Sequence, residues 1–355
     1  MNLFELTRKL IDIPSVTGDE KAVGEFLRAH LAGLGYDVEM QEVAADRFNV
    51  IATNETEVGV SPRVVLSTHM DTVPPYIVST ENEARIYGRG ACDAKGIIAA
   101  QIMAAERLRS EGVNQVGLLF TVDEEMGSLG AQVANLEKHR TRPDFLINGE
   151  PTDNRLATAT KGSLRLTLKT RGRSAHSAYP EHGESAIEKL LDVLSDIRRC
   201  VWPIDELLGE TTCNIGVLSG GTRPNVIPEQ AEAVLQFRLV SQAQPVKELL
   251  DDAIAGRAEI EYLSEHEPIR LHTVDGFERC TVRFTTDIPY LSKWGVALLL
   301  GPGSILNAHT DHESVGKQEI TTAVDLYVRL ARSLLAEQGE EKLRPVTKGA
   351  KGALR

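Results

Sequence analysis

Cysteine is scarce. Cys92, Cys200, Cys213 and Cys280 are the only four in 355 residues, and no two form a Cys-x-x-Cys pair. That spacing excludes a disulfide-stapled scaffold and a thiolate zinc cluster. Aromatic residues make up 5% of the chain, too few for the stacking platforms that read single-stranded RNA. Basic charge is also short: Lys and Arg total 39 against 51 Asp and Glu, a formal net charge of −12. Such a surface repels phosphate backbones and anionic bilayers, so neither nucleic acid nor membrane is an expected partner. The longest apolar run near the C-terminus, Val296 to Leu300, is far short of a membrane span. The opening MNLFELTRKLIDIPSVTG has neither a long apolar core nor a small-residue cleavage site, so it does not read as a signal peptide. The expectation is a soluble, cytoplasmic protein in reducing surroundings.

What is present is periodic. Leu3, Leu6 and Leu10, then Val23, Phe26, Leu27, Leu31 and Leu34, recur at helical spacing over 3–13 and 20–34. Val64-Val65-Leu66, Val116 to Val122 and Phe145-Leu146-Ile147 are short apolar runs that read as buried strands. Gly96 to Leu108 and Leu129 to Leu136 read as helices between them. This alternation predicts an α/β layer with a largely parallel sheet. The texture changes near residue 161. Ser163 to Thr170 alternates apolar and polar residues. A helix over about 184–199, strands at Asn214–Leu218 and Ala231–Leu239, a helix over 245–255 and a strand at Ile260–Leu263 follow. That order predicts a small α+β sandwich of ferredoxin-like type. Trp294 to Leu300 and 318–336 return to strand and helix. The predicted architecture is a discontinuous α/β domain, residues 1–160 and 272–336, interrupted by an inserted α+β domain, 161–271. Residues 337–355 are charged, unpatterned and expected to be disordered.

Loops at the carboxyl ends of strands in α/β sheets converge to form sites. Here those ends carry His69-Met70-Asp71, Asp123-Glu124-Glu125, Gly149-Glu150 and, later, Asn307-Ala308-His309. The glycine-rich loop Gly88-Arg89-Gly90-Ala91-Cys92-Asp93 leads into a helix. Taken singly, a His-x-Asp is often plain decoration and an acidic run is often a solvated turn. Histidine and carboxylate at strand end after strand end, with no thiolate, suit a first-row divalent metal, zinc first.

The motifs STHMDTVP (67–74), YGRGACDAKG (87–96), TVDEEMGSLGA (121–131), NGEPT (148–152), GRSAHSAYP (172–180), NVIPEQAEAVLQFR (225–238) and GPGSILNAH (301–309) resemble, in order, those of a family of dinuclear zinc deacylases and exopeptidases. It includes acetylornithine deacetylase, succinyl-diaminopimelate desuccinylase, aminoacylase and glutamate carboxypeptidase. The resemblance implies a metal-bearing α/β domain with an inserted lid or dimerisation domain. It implies two zinc ions, with cobalt or manganese as substitutes. His69 and Glu150 would bind one ion, Glu125 and His309 the other, and Asp93 would bridge them, followed by a cis peptide. Asp71 would orient His69, and Glu124 would be the general base. In the lid, His176 would stabilise the oxyanion in a neighbouring subunit's site, and Asn225 and Arg238 would hold the substrate's carboxylate or carbonyl. A homodimer through the lid follows. His182, His266 and His272 match no ligand motif and read as surface residues. His312 stands where the family has an acidic or amide residue before Glu313.

The mechanism so implied is water attack on an amide, with Glu124 shuttling the proton. Glu150, where aminopeptidases of the family carry Asp, points to a deacylase or carboxypeptidase. The expected substrate is a small N-acyl amino acid, acetylornithine first, or a short peptide; desuccinylation and glutamate-type carboxypeptidase activity are the alternatives. A non-catalytic binding module predicts decayed ligands, and all five are present. A nucleotide-binding protein would need a third glycine after Gly88-x-Gly90 or a phosphate-binding lysine loop, and neither occurs. A nucleobase deaminase would need Pro-Cys-x-x-Cys, which is absent.

Overall fold

Runs such as Val64-Val65-Leu66 and Leu118-Leu119-Phe120 offer water no polar face, so they must lie in a sheet covered on both sides. The computed structural model describes residues 1–54, 61–136 and 143–337. The expected disordered tail lies, apart from Glu337, outside the described residues. Two compact units emerge. Among the described residues, the first comprises those within 1–158, 271–280 and 286–337; the second comprises 159–270 and 281–285. The boundaries expected at 160/161 and 271/272 therefore miss the second unit's reclaiming of Thr281–Thr285.

The first unit is built on a six-stranded sheet. Its order is Asp37–Ala44, Arg47–Thr53, Val116–Thr121, Val64–His69, Phe145–Asn148, Val296–Leu299. The last four strands run parallel. The first two form an antiparallel hairpin joined to Val116–Thr121. The periodicity of 37–53 does not announce this hairpin, because the outer strand buries only Gln41. Side chains alternate across the sheet as its pleat requires. Val64, Leu66, Leu118, Phe120 and Ile147 pack with Ile98, Ile102 and Tyr327 on one face. Val65, Leu119 and Leu146 pack with Ala131, Ala134 and Trp294 on the other. The helix Lys95–Ser110 is buried nearly all round, as a helix wedged between a sheet and other helices must be. Its first turn lies so near the preceding loop that a Cβ on Gly96 would meet the Ala91 carbonyl oxygen at 2.3 Å. The helix Leu3–Ile11 opens with a capping box between Asn2 and Glu5.

The second unit runs strand, helix, strand, strand, helix, strand. Its four strands are antiparallel, in the order Thr212–Gly220, Gln230–Leu239, Gly162–Arg171, Glu259–His266. Helices Ala186–Ile197 and Ala243–Ile254 supply Leu190, Val193, Val246 and Leu250 to a core with Leu164, Leu166, Leu235 and Phe237. This is the ferredoxin-like arrangement. Ser185 caps the first helix by accepting from Glu188 N. The segment Ser163–Thr170 lies inside this sheet, paired on both sides. The strand edges are Thr212–Gly220 and Glu259–His266. Among the described residues, no helix is long and apolar enough to cross a membrane.

Candidate metal centre

The parallel register brings the strand ends level. His69 lies opposite Thr121, and Asn148 lies opposite both Ser67 and Leu299. The segments after them therefore share one edge of the sheet, the place where α/β proteins build sites.

Three donors cluster there: His69, Asp93 and Glu125 each offer an atom within 4.8 Å of the others. His69 Nε2 is 2.9 Å from Asp93 Oδ1. His309 Nε2 is 3.3 Å from Asp93 Oδ2 and 3.0 Å from Glu125 Oε1. The two oxygens of Asp93 thus face two different histidines. Glu150 is buried, and its Oε1 finds no hydrogen-bond partner among the described residues. The peptide Asp93–Ala94 is cis.

Burial and neighbouring charge together shift the titrations of these donors. Burial pushes the Glu124 carboxyl well above the usual range, and the neighbouring Glu150 adds to the shift. Glu150 is raised likewise, by burial above all. Burial favours a neutral His69, but its contacts with Asp71 and Asp93 outweigh that and raise its proton affinity well above normal. His309 is raised to about 10 by its bonds to Asp93 and Glu125. Asp93 goes the other way: despite its burial, its contacts with His309 and His69 hold its carboxyl well below the usual range.

Asp71 ties two strand ends together. Its carboxylate accepts from Glu124 N at 3.1 Å, Glu125 N at 3.2 Å and Thr17 Oγ1 at 2.8 Å. His69 Nδ1 lies 3.0 Å from the Asp71 main-chain carbonyl and 3.4 Å from its carboxylate. The main chain of Asp71 is therefore its nearer partner, and the carboxylate chiefly holds the Glu124–Glu125 turn.

Glu313 emerges as a structural centre that no spacing rule singles out. Its Oε2 accepts from Arg89 Nη1 at 2.7 Å, and its Oε1 accepts from Gly90 N at 2.9 Å, Asp93 N at 3.2 Å and Cys92 N at 3.3 Å. Both partners of the Arg89–Glu313 pair are buried. Glu313→Ala leaves a guanidinium unpaired in the interior and is expected to lose about 3–5 kcal/mol of stability. Urea unfolding at neutral pH measures this, and a loss under about 1 kcal/mol would refute it. His312 beside it is exposed. Asp287, also absent from every motif, is buried and accepts from Thr121 Oγ1 at 2.7 Å. Burial raises its carboxyl to about 6.

His176, Asn225 and Arg238 belong to the second unit. His176 and Asn225 are exposed and share a loop crossing, with Ser177 N donating to the Asn225 carbonyl at 3.0 Å. His176 Nδ1 accepts from Ala178 N at 3.1 Å, which places the ring proton of the neutral form on Nε2. Arg238 is half-buried on the strand Gln230–Leu239, opposite Ser163 and Thr212. His182 is at the surface. His266 and His272 are not: both are half-buried, and His272 tilts against Phe145 with ring centroids 5.9 Å apart.

Comparison with known proteins agrees with this fold. Residues 65–333 match the model of "Peptidase family M20/M25/M40". A Paracoccidioides brasiliensis protein named "Probable carboxypeptidase" is 35% identical over 376 residues, covering 92% of this chain and 84% of the relative. The M20 family metallo-carboxypeptidase Sso-CP2 of Sulfolobus solfataricus superposes with a TM-score of 0.75 at 19% identity, covering 94% of this chain and 99% of the other. The Bacillus subtilis YXEP protein, described as a dinuclear metal-binding peptidase, superposes with a TM-score of 0.69 at 16% identity, covering 94% and 96%. The α/β scaffold with its inserted α+β unit, the carboxylate–histidine edge and the match across three-quarters of the sequence lead to one conclusion: the chain belongs to peptidase family M20/M25/M40.

Proposed function

We propose that this chain is a dinuclear metal-dependent exopeptidase or deacylase. It hydrolyses an amide whose amine product is an amino acid with a free carboxylate. The observation that carries the reading is Asp93, whose two oxygens face His69 and His309 separately. A carboxylate so placed is suited to bridge two cations. The donor set fits in charge as well: Asp93, Glu125 and Glu150 with two neutral imidazoles would offset three of the four charges of two divalent ions, with the Glu124 carboxyl close enough to Glu150 to feel its charge. Glu150 Oε1, buried and without a partner among the described residues, would gain one from a bound ion. His69, Glu150 and Asp93 would hold one ion; Glu125, His309 and Asp93 would hold the other. Nitrogen and oxygen donors without thiolate favour zinc, with cobalt or manganese as substitutes.

Metal ions held there would acidify a water and polarise the scissile carbonyl. The protein's own groups do the rest. Glu124, given a high proton affinity by burial and Glu150, takes the proton of the attacking water and passes it to the leaving nitrogen. The Asp71 carbonyl accepts a hydrogen bond from His69 Nδ1–H, which leaves Nε2 free to ligate. His176, protonated on Nε2, donates to the developing oxyanion. Asn225 and Arg238 hold the carboxylate of the departing amino acid.

Carboxypeptidase and N-acyl amino acid deacylase activities share that leaving group. The carboxypeptidase name of a 35% identical relative puts short peptides with a free C-terminus first. N-acetyl amino acids, acetylornithine among them, come next. A panel of dipeptides, N-acetyl and N-succinyl amino acids and γ-glutamyl amides, assayed with zinc or cobalt, tests this. Turnover confined to C-terminally blocked peptides would overturn it.

We also propose a homodimer through the second unit, with His176 acting on the partner's site. The edge strand Thr212–Gly220 supports this: it is exposed along nearly its whole length, including Val217 and Leu218, and an open apolar edge invites pairing. His176→Ala is expected to lower kcat by about 10²–10³-fold with metal retained. Mixing His176→Ala with Glu124→Ala under subunit exchange should restore activity that neither has alone. No recovery after verified exchange refutes action across subunits.

A further inference from the structure

The turn carrying Glu124 and Glu125 is an awkward piece of chain. It leaves the strand at Thr121 and passes through Asp123 at φ 71° and Ser128 at φ 54°, left-handed positions without glycine's freedom. Such a conformation persists only when its surroundings over-determine it. From one side Asp71 takes the Glu124 and Glu125 amides. Asp287 works at the ends. It accepts from Thr121 Oγ1 at 2.7 Å, and the Ser128 side chain faces the same carboxyl. The group is 1% exposed. Its Oδ1 has no hydrogen-bond partner among the described residues. Satisfying Thr121 requires one acceptor, so the second buried oxygen weakens the fold unless the carboxyl has a further task.

We propose that Asp287 is a positioning residue that fixes the two ends of the Glu124–Glu125 turn, and so the placement of base and ligand over the metal centre. The proposal rests on the roles given above to Glu124 and Glu125. Asp287→Ala and Thr121→Val each remove one side of the bond. Both are expected to lower kcat by about 10–100-fold and to weaken cobalt(II) binding by a similar factor, the usual effect of losing a group that orients a ligand. KM should move by less than about threefold. Asp287→Asn and Thr121→Ser, which keep acceptor and donor, should stay within about threefold of wild type.

Cobalt titration, followed by its visible absorption, needs no substrate. It therefore reads the proposal even if the assignment of substrate class fails. A merely structural role would lower Tm in Asp287→Ala while leaving the cobalt spectrum and affinity of the folded protein unchanged, and that result overturns the proposal. Asp287→Asn as impaired as Asp287→Ala overturns it too, because the shared acceptor would then not be the cause. Should Asp287→Ala fail to fold, Thr121→Val alone decides.

Discussion

Asp93→Ala is expected to empty both metal positions at once and to abolish hydrolysis. Its two oxygens face two histidines on different segments, His69 at 2.9 Å and His309 at 3.3 Å, so neither half of the centre survives its loss. Removing a group that merely orients a ligand weakens metal binding by about 10–100-fold. Removing a shared ligand should exceed the upper figure for both ions. Elemental analysis after zinc loading and gel filtration measures it. A variant that still carries two zinc ions would remove Asp93 from the bridge. A wild-type protein that never exceeds one ion would remove the dinuclear reading altogether.

Glu124→Gln and Glu125→Gln should separate cleanly although the residues are neighbours. The two side chains part within the turn: Glu125 reaches His309, whereas Glu124 makes no such contact among the described residues and is raised by burial and by Glu150. Glu124→Gln is expected to keep both metals and its fold while kcat falls by about 10²–10⁴-fold, the usual contribution of a positioned acid–base group. Glu125→Gln is expected to lose metal first and activity as a consequence. Measured metal content beside kcat distinguishes the two. Full activity in Glu124→Gln with intact metal in Glu125→Gln would refute both assignments.

Part of the metal edge is legible in the sequence because His69 ends an apolar strand run and Glu125 and Glu150 follow two others within a few residues, whereas Asp93 and His309 stand in loops. Parallel pairing then does in space what the runs announce in sequence. Asp287 and Glu313 are not legible that way. Their meaning lies in partners 166 and 224 residues distant, Thr121 and Arg89, and no local period encodes such a pairing. The hairpin 37–53 is hidden for a different reason: its outer strand faces solvent along most of its length, so alternation is lost. Ser163–Thr170, by contrast, alternates although it is a central strand, because Leu164, Leu166 and Leu168 pack into the core on one face while Arg165 on the other stays exposed. His272 shows that a histidine outside every motif can still find a place against a core aromatic ring.

The carboxylate of Glu313 gathers the amides of Gly90, Cys92 and Asp93 across a separation of at least 220 residues. On the ribosome that separation becomes time. At about 5–20 residues per second, the glycine-rich loop waits roughly ten to forty seconds for the acceptor that fixes it. During that interval the entire second unit is synthesised, and domains generally fold as they emerge. The inserted sheet is therefore complete while the segment bearing Asp93 still lacks its anchor. A metal centre that draws on His309 and on this anchored loop would therefore form only after most of the chain has been made.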